Sequence, residues 1–320
     1  MHKIGFVFPG QGSQKPGMLA QLATEHAVIM DTFTEASAAL AASSGQTLDL
    51  WAITQTDQDK LDQTHITQPA LLTASVAIWR LWHQLGGGSP ELLAGHSLGE
   101  YSALVCAGIL DFSDAVQLVH KRGQYMQEAV PAGTGAMAAI LGLDEQIISD
   151  LCEQAALDGI VSAANINAPG QTVIAGSKEA VDRAISACKE AGAKRALPLN
   201  VSVPSHCALM LPAARRLRED LQKVTFSTPR LAVVQNINGK VAKTSDDIKN
   251  NLLKQLYMPV QWTSSINTMR DSGVNRIVEC GPGKVLGGLI KRIQPDIVCF
   301  SSEDAQNLDL ALAGTSGANK

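Results

Sequence analysis

Glu91-Leu92-Leu93-Ala94-Gly95-His96-Ser97-Leu98-Gly99 is the stretch that decides the fold. Its apolar first half reads as a short strand over 91–96, and the two glycines around Ser97 as a tight turn. Leu98 to Gly108 follows as a helix rich in small residues, closed by Gly108. A strand feeding directly into a helix is the unit of an α/β protein with a largely parallel sheet. The alternation continues on both sides. Ile4–Phe8 reads as a first strand ending in the glycine-rich PGQGSQKPG, and Gln68–Leu85 as a buried helix. Ser113–Val130 reads as a longer helix with Ser113 as its N-cap. Past Pro204, Leu209–Lys223 is helical in period, and strands are expected at 231–235, 276–280 and 297–301.

Between these segments the texture changes. From Pro131, the runs PAGTGAMAAIL, LDEQIISDLCEQA, IVSAANIN, QTVIAG, SKEAVDRAISACKEAG and AKRALPLNVSV read strand, helix, strand, strand, helix, strand. That is the order of a ferredoxin-like unit. The expected organisation is a small ferredoxin-like α+β subdomain over 131–202, inserted into a larger, discontinuous α/β subdomain over 1–130 and 203–320. The polar end GTSGANK reads as frayed.

Composition narrows the function classes. The 320 residues are 45% hydrophobic and 18% charged, with 26 Lys and Arg against 30 Asp and Glu, a net charge of −4. That balance argues against a general nucleic-acid binder, which needs a dominant basic field. The six cysteines are scattered singly without CxxC pairs, so neither a zinc site nor a redox dithiol is indicated. They read as small buried hydrophobes. No segment has the length of a membrane span or a secretory leader, so a cytoplasmic protein without membrane contact is expected.

Gly95-His96-Ser97-Leu98-Gly99 matches GxSxG, in which the turn lifts a serine hydroxyl clear of the sheet. The next amide, that of Leu98, lies at a helix N-terminus, where it can stabilise an oxyanion. Roughly 0.1 copies of the bare pattern are expected by chance in such a chain, so the strand before and helix after carry the argument. A serine nucleophile needs a base. His2, His26, His65, His83 and His120 stand in helical or terminal contexts, and His96 points away from its neighbour on such a turn. His206, in SVPSHCALM, is the placed candidate, with a structural histidine as the alternative on spacing alone. No Asp or Glu presents itself as a third member. Arg122 lies on the Ser113–Val130 helix with Met126 one turn on. It reads either as a surface arginine paired with a local carboxylate such as Glu128, or as a fork for a substrate carboxylate. Gly10-Gln11-Gly12 fits neither phosphate-loop pattern, but its amides stand where they can complete an oxyanion hole. Gly281-Pro282-Gly283-Lys284 likewise fails the phosphate-loop pattern.

PGQGSQ, GHSLGEYSALVCAG, KRGQYMQEAV, NAPGQTVIAG, SVPSHCALM, QLYMPVQW and ECGPGKVL follow one another over Met1–Lys291. In that order they resemble the malonyl-CoA:acyl carrier protein transacylases, and the length is similar to the stand-alone bacterial enzymes of type II fatty acid synthesis. The resemblance implies an α/β-hydrolase-like core with an inserted ferredoxin-like subdomain. It implies Ser97 as the acyl-carrying nucleophile and His206 as general base and acid. Gln255 would orient the histidine through its backbone carbonyl, Arg122 would bind the malonyl carboxylate, and the amides of Gln11 and Leu98 would form the oxyanion hole. Met126, His96 and Asn165 are the further substrate-binding candidates. No metal or bound cofactor is implied, since CoA and phosphopantetheine thioesters are substrates. The implied partners are malonyl-CoA and an acidic holo acyl carrier protein, met by a monomer through Lys189, Lys194 and Arg195 or through Lys284, Lys291 and Arg292. Ser205, a small residue before His206, leaves exclusion of methylmalonyl-CoA open. A serine esterase or thioesterase, with an acid partner for His206, and a non-catalytic acyltransferase-like module are the competing readings.

Overall fold

The computed structural model describes residues 2–45, 47–199 and 203–316. Nine strands among them form two sheets. β1 (Lys3–Phe8), β2 (Leu92–Gly95), β7 (Ala232–Val234), β8 (Val274–Glu279) and β9 (Val298–Ser301) make a parallel sheet in the order β7-β2-β1-β8-β9. β3 (Gly135–Leu141), β4 (Val161–Ala168), β5 (Gln171–Ser177) and β6 (Arg195–Pro198) make an antiparallel sheet in the order β4-β5-β3-β6.

β1 sits centrally and is buried on both sides, as a strand covered by helices on two faces must be. Ile4, Phe6 and Phe8 enter one core while Val7 enters another, following the period of two. Phe6 meets Trp79 and Trp82 edge-on, at centroid separations of 5.2 and 5.1 Å. Both tryptophans belong to the helix Thr64–Gln84, which begins four residues before the expected Gln68. Pro69 inside it has no N–H to give the carbonyl of His65. The ring Nδ1 of His120 supplies the donor instead, at 2.7 Å, and so ties this helix to Phe112–Ala129.

The N-cap of Phe112–Ala129 is Asp111 rather than the expected Ser113. The Asp111 carboxylate accepts from the amides of both Ser113 and Asp114, a stronger cap than a hydroxyl. The helices Ala20–Glu25, Ala27–Ser44, Leu50–Thr56 and Gln58–Leu61 are additions to the sequence reading. At the other end, Gly314 and Thr315 belong to the helix Ala305–Thr315 with Thr315 buried, which corrects the reading of these residues as frayed; residues 317–320 lie outside the described residues.

The antiparallel sheet carries the helices Glu145–Ala156 and Lys178–Glu190 on one face, packed through Ile140, Ile148, Ile174, Val181 and Ile185. Its other face presents Met137, Ala164, Val173 and Ala175 to Cys207, the neighbour of His206. Ile166 N donates to the Val260 carbonyl and Val260 N to the Ala164 carbonyl, each at 2.9 Å, which pins β4 to the segment after Gln255. The expected strand over 193–203 is confined to β6 within the described part, and Asn200, Val201 and Ser202 lie outside the described residues. The six cysteines are free, four of them buried. Among the described residues, no helix is long and apolar enough to cross a membrane.

Candidate active site

The turn between β2 and the helix Gly99–Cys106 holds Ser97 at φ 52°, a left-handed conformation costly for a residue with a Cβ. The surroundings over-determine it. The Ser97 amide donates to Asn236 Oδ1 at 2.7 Å, and Asn236 Nδ2 donates to the Gly95 carbonyl at 2.6 Å, so one side chain ties both arms of the turn. The pentapeptide glycines serve close approach. A Cβ on Gly95 would overlap the Gly99 carbonyl, and one on Gly99 would overlap the carbonyl of Phe8.

Ser97 Oγ lies 2.8 Å from His206 Nε2. His206 also has a positive φ, 64°, and its amide donates to the Leu256 carbonyl at 3.0 Å. Its Nδ1 lies 2.6 Å from the backbone carbonyl of Gln255. A carbonyl only accepts, so Nδ1 carries the hydrogen and Nε2 keeps a lone pair facing the serine. Burial and the nearby Arg122 charge push the His206 pKa down to about 3, against a smaller upward effect of the Gln255 carbonyl. The imidazole is therefore neutral at physiological pH.

Arg122 is 1% exposed, which overturns the alternative of a surface arginine paired with Glu128. Glu128 pairs with Arg216 instead. Arg122 Nη1 donates to Gln68 Oε1 at 2.7 Å, and Nη2 donates to Gln255 Oε1 at 3.0 Å and to Ser97 Oγ at 3.4 Å. Among the described residues its Nε meets no hydrogen-bond acceptor, and the guanidinium lies 5.5 Å from the Tyr101 ring centroid. Among the described residues no carboxylate oxygen comes within ion-pair distance of it. Burial lowers its pKa, as for any cation removed from water.

Ser97, His206, Arg122, Gln11, Leu98, Met126, His96 and Asn165 line one cavity of about 130 Å³, closed by Met137, Leu199, Val203 and Ser205. Gln255 stands behind it, 1% exposed. Among the described residues the amides of Gln11 and Leu98 donate to no chain acceptor. His96 turns from the serine, its Nε2 lying 2.8 Å from Asn167 Oδ1. Asn165 leaves its Oδ1 buried without a partner, and Met126 Sδ accepts from Gln68 Nε2 at 3.4 Å. The cavity is small beside the few hundred Å³ that enclose a drug-sized ligand, so its size suits a short group. A larger hollow of about 520 Å³ lies elsewhere, beside Glu279, Lys291 and Cys299.

Three participants in this network are given no role by any motif in the sequence: Gln68, Glu100 and Asn236. Glu100 is 1% exposed; its Oε2 accepts from Gln255 Nε2 at 2.7 Å and from Asn236 N at 3.1 Å. Burial pushes its pKa up to about 7, opposed by those two bonds and by Arg122. The only signal in the sequence was the position of Glu100 beside GxSxG, where a first-turn acid ordinarily reads as a partner of the helix dipole. Among the described residues no cluster of three or more His, Cys, Asp or Glu is arranged to hold a metal ion.

Comparison with known proteins agrees with this geometry. Residues 5–292 match the acyl transferase domain family. The chain is 56% identical over 313 residues to the malonyl CoA-acyl carrier protein transacylase of Escherichia coli K12, covering 98% of this chain and 99% of that one. It superposes with a TM-score of 0.94 and 52% identity on a malonyl-transacylase solved in complex with its type II PKS acyl-carrier protein, over 98% of this chain and 99% of that one. An acyl carrier protein S-malonyltransferase from Vibrio cholerae gives 0.92 and 54%, over 96% and 99%. A half-buried serine paired with a buried histidine and facing a buried arginine thus sits in a chain that belongs to the acyl transferase family, among its malonyl CoA-acyl carrier protein transacylases.

Proposed function

We propose that this protein transfers the malonyl group of malonyl-CoA to the phosphopantetheine thiol of holo acyl carrier protein, through an ester on Ser97, supplying the extender unit of fatty acid synthesis. The observation that carries the reading is the buried guanidinium of Arg122, 3.4 Å from Ser97 Oγ and, among the described residues, without a carboxylate at ion-pair distance. A cation so placed is completed by an acyl group that brings its own carboxylate.

The chemistry runs in two halves. His206 Nε2 takes the Ser97 proton as Oγ attacks the thioester carbon. The oxyanion falls to the amides of Gln11 and Leu98, each such donor being worth about 3–4 kcal/mol in comparable sites. The carbon–sulfur bond breaks, His206 returns the proton to the CoA thiolate, and the malonyl ester remains. The carrier thiol then gives its proton to His206, attacks the ester carbon, and leaves with the acyl group as Ser97 recovers the proton. Met126, His96 and Asn165 shape the acyl cavity. A carbonyl rather than a carboxylate on His206 Nδ1 stabilises the imidazolium less than in a Ser-His-Asp triad. That favours an easily deprotonated thiol over water and speaks against the hydrolase reading.

The sheet order β4-β5-β3-β6 and its strand–helix–strand–strand–helix–strand path support a ferredoxin-like subdomain over 131–202. The all-parallel sheet with Ser97 on the turn after β2 supports a hydrolase-like remainder. The protein acts as a cytoplasmic monomer that needs no bound cofactor and contacts neither membrane nor nucleic acid. Its acidic carrier docks on exposed Lys189, Lys194 and Arg195, or on Lys284, Lys291 and Arg292. The test is acyl transfer from malonyl-CoA and from acetyl-CoA to holo acyl carrier protein, followed by intact mass. Malonyl-carrier with little acetyl-carrier is expected; free malonate without transfer would establish a hydrolase.

A further inference from the structure

Gln255 does two things at once. Its backbone carbonyl holds His206, and its carboxamide stands between two buried ionisable groups. The carboxamide oxygen accepts from Arg122 Nη2, while Nε2 faces acceptors: the Ser97 carbonyl at 2.9 Å, Glu100 Oε2 at 2.7 Å and Asn236 Oδ1 at 3.3 Å. A carboxamide is nearly symmetric in shape, so its partners decide which end points where. Turned over, it would set oxygen against the Ser97 carbonyl and the Glu100 carboxylate, and NH₂ against the guanidinium. Glu100 makes the shortest of the three bonds to Nε2. Among the described residues its other oxygen, Oε1, is buried without a partner, and the hydrogen bonds of Glu100 fall on Oε2, shared by Gln255 Nε2 and Asn236 N.

We propose that Glu100 is a positioning residue: a buried acceptor that fixes the Gln255 carboxamide with its oxygen toward Arg122, and so keeps the guanidinium aimed into the acyl cavity. Arg122 needs such a hold because, among the described residues, its hydrogen-bond acceptors are the neutral carboxamide oxygens of Gln68 and Gln255 and the Ser97 hydroxyl, with the Tyr101 ring alongside. With Gln255 free to turn, Nη2 loses its better acceptor, and a bound carboxylate meets a mobile cation. Glu100 thereby acts on selectivity for acidic acyl groups without touching the acyl group. The inference rests on the reading of Arg122 as the malonyl ligand.

The test uses Glu100→Ala and Glu100→Gln, with folding checked by circular dichroism, and follows Ser97 acylation by malonyl-CoA and by acetyl-CoA. In Glu100→Ala, kcat/KM for malonyl-CoA is expected to fall about 10–100-fold, mainly through KM, as for the loss of one charge-assisted hydrogen bond. Acetyl-CoA is expected to change by less than about 3-fold, since it presents no carboxylate to Arg122. Glu100→Gln keeps an acceptor oxygen and is expected to restore the malonyl preference. Equal losses with both acyl donors, or a Glu100→Gln as deficient as Glu100→Ala, would overturn the proposal. Should Glu100→Ala fail to fold, Glu100→Asp, which withdraws the carboxylate by one bond, carries the same prediction. A wild type without malonyl preference would refute the reading of Arg122 itself. The role of Glu100 is then decided by NMR of the Arg122 guanidinium without substrate: exchange broadening in Glu100→Ala supports it, and an unchanged spectrum overturns it.

Discussion

Replacing Arg122 by alanine separates acyl recognition from acyl chemistry. Among the described residues the guanidinium donates to neutral oxygens, those of Gln68, Gln255 and Ser97. A malonyl carboxylate entering the cavity adds two charge-assisted hydrogen bonds in the planar fork, each worth about 1.5–3 kcal/mol. Their sum of about 3–6 kcal/mol corresponds to roughly 10²–10⁴ in kcat/KM for malonyl-CoA over acetyl-CoA, at about 1.4 kcal/mol per decade. Arg122→Ala also leaves Gln68 Oε1 and Gln255 Oε1 without their donor, which slows loading of any acyl group. The ratio of the two donors is therefore the quantity to read. Quenched-flow acylation of Ser97, scored by intact mass, is expected to show the ratio collapsing to within about tenfold of unity. A variant that keeps the wild-type ratio, slowed equally with both donors, would refute Arg122 as the carboxylate ligand.

Gly99→Ala places a Cβ against the Phe8 carbonyl, so chemical denaturation should show a loss of about 3 kcal/mol or more, the upper end for overpacking; a loss under about 0.5 kcal/mol would contradict the close approach. With its pKa near 3, His206 should show ring ¹⁵N shifts that stay flat from pH 8 to 5, and a midpoint near 6.5 would contradict the tautomer and burial described. The same depression lowers stability in acid: below pH 6.5 the unfolded chain takes up a proton that the folded chain refuses. Unfolding free energy should fall by up to about 1.4 kcal/mol per pH unit from this group between pH 6.5 and 3, and His206→Gln should flatten that slope.

The parts of the fold that follow a short-range rule were legible in the sequence. β1, β2 and the turn at Ser97 follow from alternation and glycine spacing, and the structure places them within a residue or two of the expected bounds. Ala27–Ser44 was not, because a run such as ASAALAASS shows little contrast between a buried and an exposed face. At the cap of the arginine-bearing helix Asp111 and Ser113 are both competent by sequence, and the amides they face distinguish them. At the site, Ser97 and His206 came from a motif and a process of elimination. Arg122 was ambiguous because a helix periodicity does not say which neighbour packs over it; Gly123 and the helix Thr64–Gln84 settle that in three dimensions. Asn236 and Gln68 come from distant segments and reach the site through tertiary packing, so no spacing announces their contacts with the GxSxG turn or with Arg122.

The most direct test of the account is peptide mapping of the protein after a single exposure to malonyl-CoA, with Ser97→Ala alongside and a chase of holo acyl carrier protein. One malonyl ester is expected on the peptide bearing Ser97, absent from Ser97→Ala, and discharged onto the carrier thiol during the chase. An adduct on another residue, or an ester that passes to water and never to the carrier, would contradict it.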